Sequence, residues 1–563
     1  MHRGLTRRGL LRLAALPALG PAQGAPIGLM IGSMIGPAIG ATLGQAVTEK
    51  LLVFVPQAMP ASLDPIATPG FATRTAAMAV FETLYGTDAQ LNPMPQMVAG
   101  HRMEDSGKRW VFQLRSGLLF HDGTPVTARD CVASLRRWMR ADRVGQALAA
   151  RLEALEATAG DTLTLRLTRP LLRVPAMLAK SQLSPPLIMP ERFAGTGADT
   201  PVEALIGSGP FRLAGLRWRP GDDLDLIRFA PYQPRLEASS FTAGRRVALL
   251  DRVLWRTPDD PLQALRDGAA DWVELLPPDL ADDALGDPGL TTGRLDEVGN
   301  YALLRLNTRR GPTANQAVRQ AILAGIDQTA VMETVFGAGS GKFITPVGLF
   351  SPGSEFVSTA GSERIGAKKS PRAIRAMLAD AGYQGEPLVV LNPVDDLVHT
   401  RLTGAVIDEL KQIGLTVAER PLDRPAFAAW RAHVQGAAQG APAAETSHAG
   451  DAAADHDGWS ALCDSVPGAD HFDPLAISAG PAPSGGLWPG WLDDPAAARS
   501  RDAWIDTTDL GASRAIAAQL QLRVFTTANF VPLGQWRPTA AWRTIVTGQQ
   551  KGSFPVFWDI ARP

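Results

Sequence analysis

Apolar and polar positions alternate in several stretches and repeat at helical spacing in others. Trp110, Phe112 and Leu114 alternate with polar residues, which predicts one buried face of a strand. Asp122-Gly123 then predicts a tight turn, and Thr127 with Asp130 three residues on predicts a helix N-cap with an acidic first turn. Further along, Leu388 to Leu391 reads as a strand and Arg401 to Ile413 as a helix, with Leu402, Val406, Leu410 and Ile413 on one face. Gly414 would cap that helix, and Leu415 to Ala418 would form the next strand. Strand, helix and strand in this order predict a parallel crossover. Val318, Ile322 and Ile326 stand four apart after Asn315 and predict a second helix, and Gly337 or Gly339 would end the helical stretch that follows. The fold class expected from these patterns is mixed α/β.

Composition narrows the partners. The chain has 563 residues, a net charge of −1 and 45% hydrophobic content, as a soluble globular protein of several domains would. A nucleic-acid partner is disfavoured, because phosphate binding needs a basic surface. The two cysteines, Cys131 and Cys463, make no disulfide framework, and Cys131 falls on a predicted helix as a buried thiol.

Residues 1–48 read as an export leader. Thr6-Arg7-Arg8-Gly9-Leu10-Leu11-Arg12 fits the twin-arginine pattern through Arg7 and Arg8, and no acidic residue precedes Glu49. Gly28, Gly32, Gly36, Gly40 and Gly44 recur every four residues, a stripe that would let membrane helices approach closely. Leu13 to Thr48 is uncharged and long enough to span a bilayer, although Pro37 and the glycines weaken a helix. Removal on export, with cleavage after Gly24 or Ala46, and retention as an anchor both remain open. Residues 435–457, rich in Ala and Gly, read as a low-complexity surface loop.

Six segments in register carry a resemblance. They are Leu63-Asp64-Pro65; Trp110 to Asp130; Gly207-Ser208-Gly209-Pro210-Phe211; Asp251 to Trp255 with Ala264 to Glu274; Asn307 with Val318-Arg319-Gln320-Ala321; and Pro532-Leu533-Gly534-Gln535 with Pro555-Val556-Phe557-Trp558. From about residue 50 onward the chain resembles the dipeptide and oligopeptide-binding family of extracellular solute-binding proteins that serve ABC importers. The resemblance implies a two-lobed periplasmic-binding-protein-like α/β fold, type II in its large three-subdomain form, with the ligand cleft between lobes. It implies lobe one at 49–306 plus 530–563, an inserted subdomain at 82–204, and lobe two at 307–529. It also implies a periplasmic monomer that binds a short peptide or other small solute, docks on permease subunits, and meets the membrane only through the importer or an uncleaved leader.

The same resemblance marks candidate ligand contacts. Gly458-Trp459 and Asp470, the latter at the right spacing to Pro474, resemble a Gly-Trp…Asp element whose Asp pairs with a peptide's α-ammonium; Ser460 to Pro467 are extra, and Asp464 competes for the role. A carboxylate in a dry cleft binds a cation strongly and is costly when unpaired. Trp459, Trp488 and Trp491 are candidates for apolar pockets. Tyr301, Arg305 and Asn307 stand on an inter-lobe segment, where Arg305 could grip a ligand carboxylate or form a strand-edge ion pair. Phe71 follows Leu63-Asp64-Pro65 and would lie near the ligand or in the core.

Chemistry of other kinds finds little support. Gly207 to Phe211 lacks the Gly-Lys-Ser/Thr ending of a phosphate loop. Neither a nucleophile elbow nor a His-Glu-x-x-His helix occurs, and His448, Asp455 and His456 have no diagnostic spacing. No catalytic residue, metal or cofactor is expected. The alternatives to transport are a membrane-tethered sensor or assembly protein using the glycine stripe, and an enzyme on a binding-protein scaffold. Nickel complexes, haem, opines and sugars are alternative ligands.

Overall fold

The computed structural model describes residues 49–563 apart from 198–199, 203–204, 216, 340, 367–368, 437–457 and 478–493. The leader with Arg7 and Arg8, Trp488, Trp491 and nearly all of the 435–457 loop lie outside the described residues.

A seven-stranded sheet forms the core of lobe one. Its order is Phe211–Leu213, Leu224–Arg228, Arg252–Trp255, Leu51–Val55, Trp272–Leu276, Thr539–Arg543 and Leu290–Gly293. Leu51–Val55 runs parallel to both of its neighbours. Phe54 explains much of this centre: its ring meets Trp255, Trp272 and Phe557 edge-on at 5.0, 5.3 and 5.0 Å.

The region 82–204 contains a separate four-stranded sheet ordered Val98–Glu104, Arg109–Leu114, Thr162–Leu167, Leu152–Ala157. Trp110, Phe112 and Leu114 are buried as the alternation predicts, and Val111 is buried with them. Gly123 adopts φ 84°, and the helix Ala128–Ala141 begins where Thr127 N donates to Asp130 at 2.9 Å. Cys131 is buried on this helix with its thiol free.

The Leu63-Asp64-Pro65 segment is a clasp on that helix. Arg137 donates two parallel hydrogen bonds to Asp64, at 3.0 and 2.7 Å, and both side chains are buried. Ile66 N and Val202 N donate to the same carboxylate, at 3.1 and 3.0 Å.

Lobe two is built on a six-stranded sheet ordered Phe343–Ile344, Phe530–Trp536, Asn300–Leu306, Ala461–Pro467, Leu388–Pro393, Val417–Leu422. Leu388–Pro393 and Val417–Leu422 are parallel and joined by the helix Leu397–Gln412, as the periodicity predicts. That helix starts four residues earlier than expected because Asp396 caps it, accepting from His399 N at 3.1 Å. Asn315 caps Gln316–Gly325, and the next helix, Gln328–Phe336, ends at Gly337 with φ 87°.

The expected boundaries at 306 and 530 need correction. Asn300–Leu306 and Phe530–Trp536, both assigned to lobe one from sequence, are adjacent central strands of this lobe-two sheet. Burial on both faces and antiparallel pairing decide their place. The chain passes between the two large sheets at 294–299 and again at 537–538.

Candidate functional site

The strand Ala461–Pro467 ends in the short turn Gly468–His471, which lies against the first of those crossings. Only glycine fits at 468, because a Cβ there would sit 2.7 Å from Val298 Cγ1 and 2.8 Å from the Gly299 carbonyl oxygen. Gly468 N donates to that same carbonyl. Ser351 holds the turn from the other side, its Oγ donating to Gly468 O at 2.7 Å and its N to His471 O at 2.9 Å. Tyr301 stacks on His471 with centroids 4.0 Å apart. Burial pushes His471 down to about 4, so the ring is neutral at pH 7 and Nδ1 donates to Leu349 O at 2.8 Å.

This packing fixes Asp470. Its residue is 2% exposed, and its Oδ1 is buried with no hydrogen-bond partner among the described residues. Burial pushes the carboxyl up to about 6, against the opposing pull of Lys180, Arg74 and Arg143. All three cations belong to lobe one or its inserted subdomain. Lys180 is paired with Asp142 at 3.0 Å, and Arg143 donates to the Ile477 carbonyl. Arg74 is buried on the helix Phe71–Val80 and stacks on Phe554, with its guanidinium carbon 4.1 Å from the ring centroid. Burial lowers its pKa to about 10.

Two small cavities flank the arrangement. One of 70 Å³ is lined by Ala469, Phe472 and Asp473 of lobe two and by Val144, Lys180 and Gln182 of the inserted subdomain. One of 50 Å³ lies at the crossings, against Glu274, Asp296, Asn300, Pro538 and Phe554. A larger groove of 640 Å³ runs past Trp459, Arg310, Asn315, Tyr383 and Glu386, but it lies away from the Asp470 turn. Size alone selects that groove. The buried unpaired carboxylate points to the inter-lobe region instead.

The other candidates separate from Asp470. Trp459 and Asp470 flank opposite ends of Ala461–Pro467, a seven-residue strand. At roughly 3.3 Å per residue step the two ends lie about 20 Å apart. The residues read as an insertion in the Gly-Trp…Asp element are this strand, so Trp459 does not share a pocket with Asp470. Its ring packs with Leu391 and Leu462, and its carbonyl accepts from Asn307 Nδ2 at 2.8 Å. Asn307 Oδ1 in turn accepts from Arg309 N at 2.9 Å. Arg305 is 2% exposed and donates from Nε to Asp464 at 2.8 Å. Despite burial, Arg305, Arg431 and His399 hold Asp464 below the usual carboxylate range, so its charge is met within the chain, whereas that of Asp470 is not met at hydrogen-bond distance through Oδ1. Tyr301 is fully buried beneath the turn, where its hydroxyl donates to Gly348 O. Phe71 is 37% exposed at the start of the helix that carries Arg74.

Arg74, Lys180 and Arg143 escaped the sequence reading. For Arg74 a signal existed: it is the single charge in the run Phe71 to Phe81. A lone charge on a helix that buries most of its residues has few reasons to be there besides pairing.

Residues 92–462 match the family model described as Bacterial extracellular solute-binding proteins, family 5 Middle. A relative from Sinorhizobium fredii, called Probable peptide ABC transporter periplasmic-binding protein y4tO, is 29% identical over 508 residues, covering 89% of this chain and 91% of its own. The dipeptide binding protein from Pseudoalteromonas sp. SM9913, solved with Met-Leu, superposes with a TM-score of 0.74 at 16% identity, over 91% of this chain and 100% of that one. The PBP AgaA from A. tumefacien R10, solved with agropinic acid, gives 0.72 at 22% identity, over 91% and 99%. The matched stretch is well over half of the chain, and the two-sheet architecture agrees with it: this protein belongs to the bacterial extracellular solute-binding proteins, family 5.

Proposed function

We propose that the protein is the exported, periplasmic solute-binding component of an ABC importer. It captures a short peptide or a peptide-like amine between its lobes and delivers it to two permease subunits, one lobe docking on each. No reaction is involved; function rests on the ligand's higher affinity for the closed state. The observation that carries the reading is Asp470, a buried carboxylate on a rigid turn with an oxygen left without a partner. An ammonium group would supply that partner. The family membership and the y4tO relative, described as a probable peptide-binding protein, support the same ligand class.

The cavity beside the Asp470 turn measures 70 Å³ and the one at the crossings 50 Å³, room for about two waters each. A peptide therefore enters only when the lobes part, and the two crossings at 294–299 and 537–538 supply the hinge. Export is assigned to the twin-arginine pattern of Arg7 and Arg8. Among the described residues no helix is long and apolar enough to cross a membrane.

Calorimetry with amines, peptides and amine-free solutes tests the reading, with Asp470→Asn as the control. Binding confined to ligands bearing an ammonium group, and lost in the variant, supports it. Equal binding to wild type and variant removes Asp470 from the site.

A further inference from the structure

A pocket of 200 Å³ lies beside the two crossings, and no residue of the Asp470 turn lines it. Its lobe-two side is aromatic. Phe336 stacks on Trp536 with centroids 5.1 Å apart, and Trp536 Nε1 donates to Ser465 Oγ at 3.2 Å, which fixes the indole. The lobe-one side is the helix Pro278–Ala284, with Leu276 before it and Leu285 after it. Leu285 is 64% exposed. A lone exposed leucine is ordinary, but this one extends the apolar lining of a concave space.

The polar part of the lining is cationic. Arg294 and Arg537 open the two crossings, and Lys342 stands with them. The one acidic residue of the lining, Asp282, is taken by Lys342 at 2.8 Å. Arg537 donates only from Nε, to the Glu297 carbonyl at 3.0 Å, among the described residues. Arg294 makes no side-chain hydrogen bond or ion pair among them. Both guanidinium groups act on the Glu297 carboxylate from a distance, and Lys551 already engages it at 2.6 Å. Two cationic groups of the lining thus have no acidic partner in contact. Their chemistry calls for an anion, and the walls call for an apolar body. A cavity of about 150 Å³ lined by aliphatic and aromatic side chains holds a benzene ring. The volume here takes one ring and a short acidic arm.

We propose that this pocket is a second binding site, separate from the solute cleft, and that it takes a single-ring aromatic carboxylate. The ring packs against Phe336, Trp536 and Leu285, and the carboxylate meets Arg294 and Arg537. The walls come from both lobes, so an occupant fits only this relative placement of the lobes and stabilises it over others. The consequence for solute capture rests on the lobe motion of the proposed function; the site itself does not.

The probes are benzoate and phenylacetate, each compared with its neutral amide and titrated calorimetrically on the full chain. The variants are Arg294→Gln, Arg294→Lys, Leu285→Ser and Asp470→Asn. Arg294 and Leu285 are exposed, so their substitution leaves the fold intact. The acids are expected to bind at least about tenfold more tightly than the amides, the scale of one charge-assisted hydrogen bond. Arg294→Gln should erase most of that preference and Arg294→Lys should keep part of it. Leu285→Ser should weaken acid and amide alike, and Asp470→Asn should change neither. Hydrogen exchange with saturating phenylacetate should show added protection around Phe336, along Pro278–Ala284 and at both crossings. If neither acid binds, or if Arg294→Gln and Leu285→Ser leave binding unchanged, the site falls. Loss of binding in Asp470→Asn would put the acid in the cleft and overturn the site while leaving Asp470 in its role. Protection confined to one lobe would overturn the bridging of the two. Amine binding that ignores Asp470 would sink the cleft reading without touching this pocket.

Discussion

The couples Asp64–Arg137 and Asp470–Arg74 are equally buried and differ in how their carboxylates are met. Asp64 and Arg137 touch, with two parallel hydrogen bonds at 3.0 and 2.7 Å and two backbone donors filling the carboxylate's remaining positions. Asp470 and Arg74 make no hydrogen bond or ion pair with each other, and Asp470 Oδ1 is buried without a partner, whereas both Asp64 oxygens are engaged; Arg74 Nε and Arg137 Nε are alike in lacking one. Burial is the same in both couples. The first has spent its charge on holding the inserted subdomain to lobe one. In the second, Asp470 is the carboxylate that the proposed function assigns to the ligand's ammonium group. The proposal for Asp470 turns on that unpaired oxygen, since burial alone does not separate the two carboxylates.

The comparison predicts opposite outcomes for similar substitutions. Asp64→Ala leaves Arg137 buried and uncompensated and is expected to destabilise the fold by about 3–5 kcal/mol, read by denaturant unfolding. The folded fraction should keep its ligand preference. Asp470→Asn removes a charge that nothing in the ligand-free protein compensates at hydrogen-bond distance. Its stability should stay level or rise, while an amine ligand loses about 2–5 kcal/mol of affinity, read by calorimetry. A destabilised Asp470→Asn, or an unharmed Asp64→Ala, would erase the distinction.

Acidity sharpens it. Burial pushes Asp470 up to about 6, above its unfolded value near 3.8. The native state therefore binds a proton more tightly than the unfolded chain, so this group's contribution to ligand-free stability is complete below pH 4 and is lost as pH rises through 6. Asp296, raised to about 6 by burial, adds to the same trend. Ammonium binding needs the ionised carboxylate and runs the other way, falling about tenfold per pH unit below 6. Titrations between pH 7.5 and 4.5 should show affinity dropping while the ligand-free melting temperature gains from these groups. Asp470→Asn should flatten the affinity profile.

The sequence made these two couples unequally visible. Asp64 falls in a recognisable Leu-Asp-Pro segment, and Asp470 stands at the family's distance from Pro474. Local periodicity also found the crossover of lobe two, because a helix between parallel strands writes its pattern within about 35 residues. Arg137 was not visible, since a charge on an amphipathic helix looks solvent-facing until a partner from far along the chain is placed beside it, and Arg74 left only the trace of being the single charge between Phe71 and Phe81. The lobe boundaries failed for the same reason. Asn300–Leu306 and Phe530–Trp536 pair across more than 200 residues, and apolar runs do not name their partners. Trp459 misled in another way: nearness in sequence to Asp470 became distance once the residues between them extended as a strand.

The smallest effects belong to charges that meet at the rim of the two lobes. Arg401 and Lys342 of lobe two reach Asp279 and Asp282 on the lobe-one helix Pro278–Ala284, at 3.0 and 2.8 Å. Both carboxylates are more than half exposed. Each pair contributes at most about 1 kcal/mol, and salt screens it. Arg401→Gln with Lys342→Gln should therefore leave thermal stability nearly unchanged. If the lobes open and close as proposed, what it should move is the ligand-free balance between the two states, since these pairs link one lobe to the other. Small-angle scattering should show a larger ligand-free radius of gyration in the double variant, and raising salt should bring wild type toward the same value. Saturating ligand should return both to one compact form, because the charges at the centre of the cleft outweigh those at its edge. A variant that stays open with ligand bound would show that the rim, not the Asp470 region, drives closure.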